Sequence, residues 1–122
     1  MIISIVGDID QKMVDDIYNK IINEYSIDDE VIIIFDSAGG YLQSAYDIID
    51  LLAELPTNNV TAINKGDVMS AATLIWLSCD KRVWNCNVGD FLIHCPWLSE
   101  VSGNSEKLIS YAIDLIQLEE DI

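Results

Sequence analysis

The chain has 122 residues, 51% of them hydrophobic, and sets 21 Asp and Glu against 6 Lys and Arg for a formal charge of -15. That length fits one domain with enough apolar material for a core, and the acidic excess repels nucleic-acid phosphates and an anionic membrane surface, so neither is expected as a partner. The longest apolar runs, at residues 31–35 and 71–77, are too short to span a bilayer, and the first eight residues carry no basic leader or cleavage pattern, so no signal peptide is expected and the cytoplasm is the expected address.

Residues 2–6 (Ile-Ile-Ser-Ile-Val) read as a strand closed by Gly7-Asp8. From Asp10 to Glu24, Met13, Val14, Ile17, Ile21 and Ile22 recur at helical spacing, which predicts an amphipathic helix. Residues 31–35 are a continuous β-branched and aromatic run, too short for a helix and apolar on both faces, as expected of a strand inside a covered parallel sheet. Asp36-Ser37-Ala38-Gly39-Gly40 then makes a turn of small residues. A helix follows from about residue 41 to 55, with Leu42, Ala45, Ile48, Ile49 and Leu52 on one face, stopped by Pro56 and Thr57-Asn58-Asn59. Beyond it the pattern predicts a short strand over 60–63, a buried helix over 70–78, strands over 82–84 and 91–95, and a last helix from about 105 to 118. The alternation argues for an α/β fold of βαβ units with a mostly parallel sheet and right-handed crossovers. The chain has no internal repeat, low-complexity tract or linker.

The acids gather in Asp28-Asp29-Glu30, along the first helix and in Glu119-Glu120-Asp121, as solvated faces do. Cys79, Cys86 and Cys95 are odd in number and form no CxxC pair, so neither a disulfide framework nor a zinc ribbon is indicated, and reduced, mostly buried thiols are expected. His94 beside Cys95 suggests a metal pair or a Cys/His nucleophile, but neighbours on a strand point to opposite faces. No metal and no cofactor are implied.

Three places carry chemistry. Gly39-Gly40 follows a strand and opens a helix, leaving backbone N–H groups to face an anion. It is neither a dinucleotide fingerprint nor a Walker loop, and alone it is most often a tight turn. Ser70 ends Lys65-Gly66-Asp67-Val68-Met69-Ser70, where polar residues give way to an apolar helix, and Ala71 adds an N–H donor at the helix start. Alone, that serine reads as a helix cap. His94, the only histidine, lies in Phe91-Leu92-Ile93-His94-Cys95-Pro96-Trp97 and is the one side chain able to act as a neutral-pH base.

Taken together, Asp36-Ser37-Ala38-Gly39-Gly40, Gly66-Asp67-Val68-Met69-Ser70-Ala71-Ala72 and Leu92-Ile93-His94-Cys95-Pro96 resemble, in order and spacing, the three signature blocks of the ClpP family of serine peptidases, and the resemblance covers nearly the whole chain. It implies the ClpP/crotonase-like architecture with a C-terminal handle helix, at residues 105–118, whose Leu108, Ile109, Ala112, Leu115 and Ile116 form an apolar stripe. In that family a Ser-Pro-Gly-Gly loop supplies an oxyanion amide, a Gly-x-Ala-Ala-Ser-Met block the nucleophile, and a His-Gln-Pro block the base. Carried over, Ser70 is the nucleophile, His94 the general base, and the amides of Gly40 and Ala71 the oxyanion donors, with Gly39 supporting the loop. Ala38, Ala71 and Cys95 depart from the family's proline, methionine and glutamine, changes that backbone amides survive.

The implied activity is endoproteolysis of peptides or unfolded protein, and the implied partner is a second copy of the chain, as in the family's rings. The family's third triad member, an aspartate beyond the helix after the histidine, has no match in Asp114 or Asp121. The chain is therefore expected to be a single ClpP-like domain, 1–122, without the family's N-terminal segment or that C-terminal part, which argues against docking to an ATP-driven AAA+ unfoldase. Two other readings stand beside the peptidase. One is a catalytically impaired assembly subunit; the other is a crotonase-type acyl-CoA enzyme, which needs a carboxylate base such as Glu100 or Asp67 and a CoA site that nothing here marks.

Overall fold

The computed structural model describes residues 1–27 and 30–93. Its elements run β1 (Ile2–Val6), α1 (Gln11–Glu24), β2 (Val31–Ser37), α2 (Leu42–Ala53), β3 (Val60–Met69), α3 (Ala71–Ser78), β4 (Lys81–Val83) and β5 (Phe91–Leu92). The sheet has the order β1-β2-β3-β4, with β5 also pairing to β3, and every pairing is parallel. The α/β class and parallel sheet expected from the alternation are the ones observed. The predicted helix over 105–118 and the strand residues from 94 onward lie outside the described residues.

Local chemistry sets the boundaries. The Asp10 carboxylate accepts the Met13 N–H at 2.9 Å and starts α1. Met13, Val14 and Ile17 of α1 are buried, but Ile22 is exposed, so the apolar stripe of this helix fades in its last turn. In α2 the buried face is Ser44, Ala45, Ile48 and Leu52. Helix α2 packs against both α1 and α3, so the three helices lie on one face of the sheet. The core between the layers holds Ile3, Ile5, Val31, Ile33, Phe35, Ala62 and Val68 from the strands with Ile17, Ala45, Ile48, Ile75 and Trp76 from the helices.

Three expectations are corrected. Strand β2 is not covered equally on both sides: its residues alternate buried and half-buried because the described helices shield one face only. Strand β3 runs to Met69 rather than stopping at residue 63, because Val68 and Met69 gain a neighbour in β5. The thiols are divided, Cys79 being buried and Cys86 exposed, because Cys86 falls in the solvent-facing loop between β4 and β5.

Candidate active site

Two strand-to-helix junctions meet at one place. Ser70 joins β3 to α3 with φ 54° and ψ -127°, a conformation that glycine tolerates and serine does not favour, and it is the one non-glycine with positive φ among the described residues. Its hydroxyl makes no capping bond to α3, so Ser70 is not the helix cap that its position alone suggests. The main chain holds it instead. Its N–H donates to the Leu92 carbonyl at 2.8 Å, and its carbonyl accepts from the Thr73 N–H at 3.0 Å and the Thr73 hydroxyl at 2.6 Å.

Gly39 lies directly against this elbow. A Cβ at Gly39 would stand 2.7 Å from the Ser70 Cβ and 3.2 Å from the Ala71 nitrogen, so the absence of a side chain is what lets the β2–α2 turn approach. With φ at +107° the position also favours glycine by conformation. The next residue is gripped from the other side: Gly40 bridges to Ile9, whose N–H donates to the Gly39 carbonyl at 3.0 Å and whose carbonyl accepts the Tyr41 N–H at 2.8 Å. A Cβ at Gly40 would collide with the Ile9 backbone.

The sequence pattern predicts that both glycine amides are free; only one is. The Gly39 N–H donates to Ser37 Oγ at 3.1 Å, and that hydroxyl donates to the Gly7 carbonyl at 2.6 Å. In a parallel bridge the central residue's own N–H points away from its partner, so the Gly40 amide faces away from Ile9. Among the described residues neither the Gly40 nor the Ala71 N–H has a hydrogen-bond partner. For Ala71 the reason is its place in the first turn of α3, which leaves amides unpaired where the helix dipole favours negative charge.

The third block arrives through β5. Val68 and Ser70 donate to the carbonyls of Asp90 and Leu92 at 2.9 and 2.8 Å, and the Asp67 carboxylate accepts the Asp90 N–H at 2.8 Å. Phe91 packs edge-on against Trp84 and Trp76, and Trp76 in turn against Phe35 of the core. The chain entering residue 93 is thus anchored beside Ser70. His94 itself lies outside the described residues, as do Cys95 and Glu100. Asp67 is committed to the β3–β5 contact, which leaves it poorly placed as a free base.

Sequence reasoning did not single out Ser37, Ile9 or Asp36. Asp36 sits where the β2–β3 register shifts, its carboxylate accepting the Asp67 N–H at 3.3 Å and pressing against Gly66. A polar residue two positions before Gly-Gly was the available signal for Ser37; Ile9 and Asp36 carry none that is local. A separate cavity of about 390 Å3 between β1 and α1, lined by Asp8, Asp10, Lys12 and Asp16 among others, includes none of the junction residues.

A family model described as Clp protease matches residues 1–122. The ATP-dependent Clp protease proteolytic subunit 2 of Pseudomonas aeruginosa is 29% identical over 118 residues, covering 95% of this chain and 58% of the relative, so the chain spans little more than half of that protein. Among solved structures, ClpP1 from Listeria monocytogenes superposes with a TM-score of 0.72 at 23% identity, covering 97% of this chain and 70% of that one. The ClpP protease catalytic domain from Plasmodium falciparum gives 0.60 at 23% identity, with 97% and 63% covered. Both likenesses establish the fold.

Proposed function

Since the chain belongs to the Clp protease family, we propose that it is a serine endopeptidase in which Ser70 is the nucleophile, His94 the general base, and the amides of Gly40 and Ala71 the oxyanion donors. The observation that supports this reading is the contact of Gly39 with Ser70, which brings the turn preceding the Gly40 amide against an uncapped serine and the first amide of α3.

Two residues of chain, at most about 7 Å, connect Leu92 to His94, and Leu92 is hydrogen-bonded to Ser70. That nearness along the chain supports His94 as the base. In the proposed reaction Ser70 Oγ attacks the peptide carbonyl as His94 takes its proton. The developing oxyanion accepts from the Gly40 and Ala71 amides, each such donor contributing about 3 kcal/mol to the transition state. His94 then returns the proton to the leaving amine, and water activated by the same imidazole releases the acyl-enzyme. Among the described residues β5 pairs on one edge only, which suits an extended peptide or unfolded segment added as a further strand. The second face of the sheet, with Ile2 and Val6 exposed and Ile32, Ile34 and Ile63 half-buried, supports self-association.

Labelling with a fluorophosphonate or a β-lactone tests the proposal. Mass spectrometry is expected to place the adduct on Ser70, with none in Ser70→Ala and a rate lower by about two to four orders of magnitude in His94→Ala. A folded protein whose Ser70 ignores both probes overturns it.

A further inference from the structure

Two adjacent glycines offer two amides, and a loop of small residues has little of its own to decide which one faces a substrate. The surroundings decide it. Ser37 is 2% exposed and uses its hydroxyl in both directions, donating to the Gly7 carbonyl and accepting the Gly39 N–H. The bond to Gly39 is buried, so water does not readily replace it. On the other side Ile9, fully buried, takes up the Gly39 carbonyl and the Tyr41 N–H. The N–H and carbonyl of Gly39 and the N–H of Tyr41 are thereby committed, and between them the Gly40 N–H is left over.

We infer that Ser37 is a positioning residue of the oxyanion site: its hydroxyl ties the N–H of the Ala38–Gly39 peptide to the end of β1, while Ile9 holds the carbonyl of the Gly39–Gly40 peptide, so that of the two glycine amides only the Gly40 N–H is presented at Ser70. This rests on the proposed roles of Ser70 and Gly40. It adds a residue that touches neither substrate nor nucleophile and acts through the loop. Loss of the hydroxyl frees the Ala38–Gly39 peptide to turn, which lets the Gly39 N–H compete and shifts the adjoining Gly40 N–H from the geometry that an oxyanion needs. Because the oxyanion exists in the transition state and not in the bound substrate, the effect belongs in kcat and not in KM.

The test compares the full chain with Ser37→Ala and with Ser37→Cys, whose sulfur fills the space but is a weak hydrogen-bond partner. In both, kcat for a peptide substrate and the rate of β-lactone acylation at Ser70 are expected to fall about 10- to 100-fold, less than the loss of a donor outright, with KM within about twofold. In the phosphonylated protein, hydrogen exchange of the peptide spanning Gly40 is expected to be slow in the wild type and faster in the variants. A folded variant with wild-type kcat, or one whose loss lies wholly in KM, overturns the inference. If Ser37→Ala does not fold, Ser37→Cys decides by the same readouts. A wild type that is not labelled at all refutes the Ser70 reading instead, so the two failures are distinguishable.

Discussion

Asn64 shows what a single buried polar side chain holds together. It is 3% exposed, and its carboxamide accepts the Asn85 N–H at 2.6 Å and donates to the Asn85 carbonyl at 2.8 Å, clasping the start of the β4–β5 loop. Asn64→Ala removes both bonds, and urea unfolding is expected to register a loss of about 1–2 kcal/mol. Gly39→Ala is expected to act differently: the added methyl meets the Ser70 Cβ, so Ser70 labelling should fall by at least about 100-fold while the circular dichroism spectrum stays that of a folded protein. The two residues were not equally legible in the sequence. Gly39 stands in a recognisable turn between a strand and a helix, whereas Asn64 looks like one more polar residue in a polar stretch, since its partner is 21 residues away. Ser37 had the local signal of a polar residue before Gly-Gly, but its acceptor at Gly7, 30 residues upstream, was not legible.

Among the elements, periodicity gave the helices well and the strands less well. α1 and α2 begin and end within two residues of the expected limits because their buried faces repeat at 3.6 and Asp10 and Pro56 punctuate them. β3 is more than twice its expected length, because Asn64-Lys65-Gly66-Asp67 has no strand signature of its own and is held by its neighbours. One such neighbour is Asp36, which supplies a side-chain acceptor where the β2–β3 ladder slips. Asp36→Ala leaves the half-buried Asp67 N–H unpaired and is expected to cost about 1–2 kcal/mol in urea unfolding. Asp36→Asn keeps an acceptor oxygen and is expected to cost less than half as much. Equal losses in the two variants would mean that the charge, and not the hydrogen bond, secures the bulge.

For the molecule as a whole, charge and layering set the behaviour. With 21 acidic and 6 basic side chains, the folded chain repels itself, so adding salt is expected to raise the melting temperature as screening shortens the Debye length from about 10 Å at 0.1 M to about 3 Å at 1 M. A melting temperature that falls with sodium chloride would contradict that expectation. The helices on one side of the sheet follow from uniform crossovers and could be read from the alternation of elements; how the β2–α2 and β3–α3 turns touch could not, because that contact depends on a missing side chain at Gly39. Serine at position 70 occupies a backbone conformation suited to glycine, so Ser70→Gly should relieve strain and leave the fold more stable by about 1 kcal/mol. On the proposed role of Ser70, the mutation that abolishes hydrolysis would then strengthen the protein, and a lineage released from selection for catalysis would drift towards glycine at that position. A serine held there against its conformational preference is what that proposed role would lead one to find.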